Sequence, residues 1–149
     1  MGTLYDTDFY GWALEQARAI RAAGAARLNT PAIVDWENIA EELEGLARSE
    51  AKELRSRYRR LLLHLLKWRY QPERRTRSWK LSIGQERDEI PVHLKDNPGL
   101  APRCAEVFEV AYGLARREAA RQTDLPLTTF PETSPFTLDQ AMDESFWPE

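Results

Sequence analysis

The stretch HLLKWRYQPERRTRSW, residues 64–79, concentrates side chains that bind anions. Five of its sixteen residues are cations and two are tryptophans: Lys67, Trp68, Arg69, Arg74, Arg75, Arg77 and Trp79. Guanidinium groups present N–H donors in a fork that matches carboxylate and phosphate oxygens. Aromatic rings beside them offer stacking surface, a combination used by proteins that bind single-stranded nucleic acid. The residue types indicate either an anion-binding surface or arginines that pair with the chain's own carboxylates.

The distribution of charge favours a protein or small-anion ligand over nucleic acid. Residues 55–80 contain ten basic residues and one acidic residue, yet the whole chain has a formal net charge of −3. Its pI near 5.5 is unlike that of dedicated nucleic-acid binders, which are usually basic. We therefore expect a non-catalytic interaction module that binds an acidic partner segment or a small anion at residues 67–80. Nucleic-acid binding at the same patch is the alternative.

The anion-binding residues expected in this patch are Lys67, Arg74, Arg75, Arg77 and Trp79. Lys67 also lies near the C-terminal end of a predicted helix, where the helix dipole stabilises cations. The arginines could instead pair within the chain, either with the acidic N-terminal half of the long helix or with the acidic tail through Asp139, Asp143, Glu144 and Glu149.

A second group, Glu50, Arg57 and His64, is a candidate buried polar cluster. Glu50 falls on an apolar helical seam, where an unpaired carboxylate is costly, so we expect it to pair with an arginine from another helix. His64 is expected to be a hydrogen-bonded packing residue. An enzyme built around Glu50 and His64 is a third, less favoured alternative, and no residue is assigned a catalytic role.

No metal or cofactor is expected. Carboxylate-bridged metal bundles use Glu-x-x-His pairs, but the residues three before His64 and His93 are Leu61 and Ile90. The chain also lacks a glycine-rich phosphate loop and a nucleophile elbow.

Helical periodicity places these residues on a long helix over about 35–70. Its apolar seam steps by three or four residues through Trp36, Ile39, Leu43, Leu46, Glu50, Leu54, Tyr58, Leu61, Leu65 and Trp68. Within the seam, LLLHLL is apolar over most of its circumference, which predicts neighbours on more than one side. The helix should end before Pro72, because a residue that precedes proline is pushed out of the α region.

The remaining periodic segments are also helical. We predict helices over 8–23, from near Pro72 to about residue 94, over about 101–122, and a short one at 137–144. The predicted helix from near Pro72 would hold Arg74, Arg75 and Arg77 in its first turns, and Pro91 should kink or split it. The sequence thus predicts a single all-α domain over 1–149: an antiparallel helical bundle of about four main helices, with a proline-rich tail, 125–149, packed on it.

Location and assembly follow from composition. No apolar run approaches the roughly 20 residues needed to span a membrane, and the single cysteine, Cys104, excludes an internal disulfide. The N-terminal residues lack the pattern of a signal peptide. We expect a cytoplasmic protein, and the widely apolar long helix is compatible with a homodimer.

Four strings carry a resemblance to a known family. YDTDFYGW, DWENIAEELEGLARSE, LLLHLLKWRYQPERRTRSW and FPETSPFTLDQAMDESFWP occur in that order over nearly the whole chain. Together they resemble the bacterial family catalogued as domain of unknown function 29. The resemblance implies a small all-helical protein and brings no established activity, cofactor or catalytic residue. Pro91 departs from the helix-compatible residue expected there.

Overall fold

The computed structural model describes residues 2–26 and 31–149. These residues form six α-helices: α1 (Leu4–Thr7), α2 (Phe9–Ala26), α3 (Trp36–Tyr70), α4 (Arg77–Asp96), α5 (Cys104–Thr123) and α6 (Leu138–Met142). Short 3-10 turns occupy Pro72–Arg74, Pro98–Arg103 and Leu127–Thr129. The described residues contain no strand, so the predicted all-α fold is confirmed.

The long helix begins and ends where the sequence predicts. The Asp35 carboxylate accepts a hydrogen bond from the Asn38 backbone N–H at 3.2 Å, which satisfies one of the free donors in the first turn of α3. The helix then runs for 35 residues and ends at Tyr70, one residue before the Gln71–Pro72 pair. All five leucines of LLLHLL are buried, which confirms that this segment is packed on more than one side.

The predicted start of the third long helix is wrong. Pro72–Arg74 form a separate 3-10 turn, and α4 begins only at Arg77. The backbone of Arg75 is extended, with ψ 126°, and the Thr76 hydroxyl then accepts a hydrogen bond from the Trp79 N–H at 3.2 Å. Threonine is a favourable N-cap, so the helix starts after it. Arg74 and Arg75 therefore precede the helix.

Pro91 does not split α4, which continues through it to Asp96. The proline lies on the exposed side of the helix. A proline in this position leaves the carbonyl of Arg87, four residues earlier, without its helical donor, and the helix nevertheless continues for five more residues.

The described residues group into two compact units. The first comprises the chain up to Lys52 together with Leu94–Pro102. In it, Arg21 of α2 donates to Glu37 at 3.0 Å and to Glu44 at 2.8 Å on α3. Gly24 is buried against Trp36, and a Cβ at this glycine would lie 2.6 Å from the Trp36 Cβ. The close approach of α2 and α3 therefore requires the glycine. The helix continues through it to Ala26, beyond the predicted end at residue 23.

The first part of α3 buries alanines in place of the predicted seam. Ala40 and Ala47 have almost no exposed surface, whereas Ile39 and Leu46 are each about two-fifths exposed (41% and 43%). The buried stripe is thus rotated by one residue from the predicted one. Small residues on this stripe let the two helices approach closely, as the contact at Gly24 also shows.

The second unit comprises Glu53–His93 and Arg103–Glu149. Its core is formed by leucines of α3, isoleucines of α4, aromatic residues of α5 and two phenylalanines of the tail; its fully buried large members include Leu54, Tyr58, Leu61, Leu62, Leu65, Leu66, Ile83, Ile90, Phe130 and Phe136. The Arg116 guanidinium donates to the Phe130 carbonyl at 2.9 Å. The proline-rich tail is therefore an integral part of this unit.

Among the described residues, no helix is both long enough and apolar enough to cross a membrane.

Candidate binding groove

An open groove of about 940 Å³ lies in the second unit, at the basic patch predicted over residues 67–80. Its walls are the last turn of α3, the loop before α4, the outer face of α4 and one tail residue. The lining residues are Trp68, Arg75, Thr76, Arg77, Lys80, Leu81, Gly84, Gln85, Asp88, Glu89 and Trp147. This volume is in the range of sites that hold a small molecule or a short peptide.

One face of α4 forms the floor. Arg77, Lys80, Leu81, Gly84 and Asp88 are spaced at i, i+3, i+4, i+7 and i+11, which places them along one side of a helix. The opposite side of α4 is buried and fixes the orientation of the helix through Ile83, Glu86, Arg87 and Ile90. The groove residues therefore belong to a rigid element whose other face is anchored in the core.

Arg75 acts mainly as a structural connection in this unit. Its Nε donates to the Trp68 carbonyl at 2.8 Å and its Nη2 to the Pro148 carbonyl at 3.2 Å. Its guanidinium carbon also lies 5.0 Å from the Trp68 ring centroid. The arginine thus joins the end of α3 to the tail through carbonyl oxygens, not through the tail carboxylates that the sequence suggested.

Arg74 and Arg77 have no such role. Both are exposed, and across residues 2–26 and 31–149 neither lies within ion-pair distance of a carboxylate. Arg77 lines the groove, whereas Arg74 does not. The positive end of the α4 dipole lies at Arg77. The dipole therefore adds to the positive potential of the arginine at this end of the groove.

Lys67 and Trp79, also predicted to bind anions, contact each other outside the groove lining. The Lys67 ammonium lies 4.8 Å from the Trp79 ring centroid and donates to the Gln122 side chain at 3.0 Å. Partial burial lowers the pKa of Lys67, and the charge of Glu118 opposes that shift. Of the five predicted residues, the structure therefore places Arg75 and Arg77 in the groove.

Several lining residues were missed by sequence reasoning. Lys80 approaches Trp147, its ammonium 5.9 Å from the ring centroid, and Asp88 and Glu89 add two carboxylates farther along α4. The helical spacing from Arg77 could have revealed the α4 residues. Nothing in the sequence indicates that Trp147 would join them, because this contact connects segments distant along the chain.

Trp147 is held in place by Arg87 and Trp68. The Arg87 Nε donates to the Ala141 carbonyl at 2.8 Å, and its Nη2 donates to the Phe146 carbonyl at 2.9 Å. The Arg87 guanidinium carbon lies 5.3 Å from the Trp147 ring centroid, and the Trp68 and Trp147 centroids are 4.8 Å apart. Burial lowers the pKa of Arg87, and the charges of Asp143 and Glu144 oppose the shift.

The predicted polar cluster of Glu50, Arg57 and His64 is replaced by a different one around Glu86. This carboxylate is fully buried and accepts hydrogen bonds from Arg60 Nη1 at 2.6 Å and Arg57 Nη1 at 3.2 Å. Arg57 thus pairs with Glu86 of α4, and its Nη2 reaches Glu53 at 3.2 Å. Sequence reasoning did not place Glu86, which lies in the polar string QERDE, in a buried ion-pair cluster.

Glu50 and His64 have other partners. In the first unit, Glu50 accepts a hydrogen bond from the Asn97 amide at 3.4 Å. In the second, His64 Nδ1 lies 2.7 Å from the Arg60 carbonyl oxygen, so the ring donates there. Burial lowers the pKa of His64. The hydrogen-bonded packing role expected for this histidine is confirmed.

Fold and groove together define a small all-helical protein with a charged, aromatic groove on an anchored helix. The chain belongs to the family described as Domain of unknown function DUF29, whose model matches residues 4–147. It is similar to an alpha-helical protein of unknown function from Rhodospirillum rubrum whose crystal structure is known, with 26% sequence identity and a TM-score of 0.72. That match covers 98% of this chain and 93% of the other. A comparison with curated proteins gave no match.

Proposed function

We propose that the protein is a non-catalytic interaction module whose groove binds an acidic segment of a protein partner. The observation that carries the proposal is the pair of exposed groove cations Arg77 and Lys80. Neither forms an ion pair within the described part of the chain, so both are available to carboxylates. The dipole of α4 adds to their positive potential.

The groove also offers apolar surface beside these cations. Leu81 is 60% exposed and lines the groove with Trp68 and Trp147. Large apolar side chains that stay exposed next to charges are typical of protein interaction sites. The groove therefore suits a segment that carries an apolar side chain next to its carboxylates.

A protein segment fits the groove better than nucleic acid does. Asp88 and Glu89 line the same groove and would repel a phosphate backbone that followed its full length. Nonspecific single-strand binders use a positively charged groove along the whole backbone. The mixed charges match a polypeptide, which can place either sign at a chosen position.

The proposal is tested by selecting from a random dodecapeptide phage library on the intact protein. The matched control is the Arg77→Ser/Lys80→Ser variant, in which both substituted residues are exposed. We expect enriched peptides with an aromatic or aliphatic residue next to Asp or Glu, and at least several-fold weaker binding of their synthetic forms to the control. The affinity should also fall as salt rises, because exposed charges are screened.

Three results would overturn the proposal. The library yields no enriched peptide, or the enriched peptides contain no carboxylate, or the selected peptides bind the control variant and the natural chain equally while circular dichroism shows that both proteins are folded. Displacement of a bound peptide by oligothymidylate or oligouridylate at low salt would favour the nucleic-acid alternative instead, with a steep salt dependence.

A further inference from the structure

We infer that the groove dictates the order of charges along its ligand, and this inference rests on the proposed function. The bound segment has a carboxylate at the Arg77–Lys80 end, an apolar side chain in the middle, and a lysine or arginine at the Asp88–Glu89 end. The groove is therefore a bipolar site for a segment of mixed charge.

The two ends of the groove have opposite charge and are well separated. Arg77 and Lys80 lie in the first turn of α4, and Asp88 and Glu89 lie in its fourth turn. Eleven residues separate Arg77 from Asp88, which is roughly 16 Å along a helix axis. None of these four side chains forms an ion pair in the described ranges 2–26 and 31–149. Even the nearest opposite charges, Lys80 and Asp88, are eight positions or roughly 12 Å apart along the axis, which exceeds the Debye length of about 8–10 Å, so the two ends do not neutralise each other.

The middle of the groove is open and apolar. Gly84 lies between the charged ends, and a Cβ built on it meets no atom within 4 Å. The glycine is thus not required by packing of the described chain, although glycine is less favourable than alanine inside a helix. With Leu81 one turn before it and Trp147 on the wall, it leaves room for an apolar side chain of the ligand.

The separation of the ends sets the spacing in the ligand. An extended polypeptide rises about 3.3 Å per residue, so roughly 16 Å corresponds to about five residues. The carboxylate and the basic residue of an extended segment should therefore be about five positions apart, with the apolar residue between them.

The inference is tested by exchanging the charges of the groove. The variant Arg77→Glu/Lys80→Glu/Asp88→Lys/Glu89→Lys has the same formal net charge as the natural chain, and all four substituted residues are exposed. The random dodecapeptide library is selected on both proteins. We expect one charge order, with a spacing of about five residues, on the natural chain and the opposite order on the variant. A synthetic peptide with the first charge order should bind the natural chain about fivefold tighter than the variant. The same peptide with its two charges exchanged should bind the variant about fivefold tighter than the natural chain.

A milder variant keeps the test decisive if the fourfold substitution fails to fold. Asp88→Asn/Glu89→Gln removes only charge, and it should bind the bipolar peptide about fivefold more weakly. Its affinity for the same peptide with the basic residue replaced by alanine should equal that of the natural chain. If the peptides selected on the natural chain bind this variant with unchanged affinity, the charge order is overturned and the proposed function is left intact. Absence of any enriched peptide would overturn both.

Discussion

At the scale of single residues, Glu86 is the most consequential polar side chain in the second unit. It is fully buried, and two guanidinium groups at 2.6 and 3.2 Å supply its hydrogen bonds. A buried carboxylate is tolerated only when it is paired. The cluster ties α3 to the side of α4 opposite the groove face.

Replacing Glu86 with glutamine should be strongly destabilising. The amide keeps the size of the side chain but removes the charge that compensates Arg57 and Arg60. Breaking a buried pair costs about 3–5 kcal/mol, and partial exposure of both arginines, 21% and 51% at the side chain, reduces the expected loss to about 2–4 kcal/mol. Urea unfolding measures it, with Glu53→Gln as control. Glu53 pairs with the same Arg57 at an exposed i, i+4 position, where a loss of about 0.5 kcal/mol is expected. Equal losses of unfolding free energy in the two variants would contradict the role of Glu86 as the buried partner of both arginines.

His64 should make stability depend on pH. Burial, aided by the charges of Lys67 and Arg60, lowers its pKa, and the hydrogen bond to the Arg60 carbonyl and Glu118 only partly oppose this. The unfolded chain, with a pKa near 6.5, therefore binds the proton more readily than the folded one. The contribution to stability is full above about pH 6.5 and is lost progressively as the pH falls from that value through the lower pKa of the folded state. Melting temperatures between pH 8 and 5 should fall more for the natural chain than for His64→Gln. Parallel curves would show that His64 is not responsible.

At the residue scale, the sequence predicted the hydrogen-bonded role of His64 but did not identify Glu86 as the buried, paired carboxylate. The seam on α3 drew attention to Glu50, since periodicity reveals a polar residue among apolar ones. Glu86 lies in the string QERDE, whose polar neighbours hide it, and only the packing of α4 determines which of these side chains is buried.

At the scale of helices, Gly24 and Gly84 form a contrasting pair. Both are inside long helices, where alanine is intrinsically better by about 1 kcal/mol. Gly24 is buried against Trp36, with only 2.6 Å between the added Cβ and the Trp36 Cβ, whereas Gly84 has open space. Local packing, not the residue type, decides the effect of a substitution.

We expect Gly24→Ala to destabilise the protein by about 1–2 kcal/mol, since overpacking costs about 1–3 kcal/mol and the helix preference of alanine returns part of it. Gly84→Ala should instead stabilise it by about 0.5–1 kcal/mol. Thermal unfolding of the two variants beside the natural chain provides the measurement. The same sign of change in both would contradict the packing that the structure assigns to Gly24.

Helix boundaries could be predicted where a local signal dominates. The sequence predicted α3 to within a residue, because Asp35 caps its start and Pro72 excludes its continuation. It failed at the start of α4, where Pro72 and Thr76 offer competing start signals. The extended backbone at Arg75 is stabilised by hydrogen bonds from its side chain to the Trp68 and Pro148 carbonyls. These are tertiary contacts, which local sequence signals do not reveal.

At the scale of the whole molecule, the tail residues beyond α5 are part of the second unit and help to build the groove. Phe130 and Phe136 are buried, and Arg87 binds two tail carbonyls. The sequence predicted the all-helical fold and a packed tail, but not the wall that Trp147 contributes. That wall depends on backbone carbonyls, which leave no signature in a single sequence.

Replacing Arg87 with leucine should loosen this tail. Two hydrogen bonds from a charged donor are lost, and such bonds contribute about 1.5–3 kcal/mol each, so we expect the free energy of unfolding to fall by at least about 3 kcal/mol. Hydrogen exchange should accelerate over 138–149 more than elsewhere. The control is Arg117→Leu, since Arg117 is an exposed arginine of α5. Unchanged exchange in the tail of the Arg87 variant would refute its anchoring role.

The contact of Trp68 with Trp147 also has a spectroscopic consequence. Of the five tryptophans, these two line the groove and lie 4.8 Å apart, while Trp12, Trp36 and Trp79 lie outside its lining. Indole emission shifts to shorter wavelength and changes in intensity when water leaves the ring. The natural chain therefore contains an intrinsic optical reporter of groove occupancy, and binding can be titrated by its own fluorescence without an attached dye.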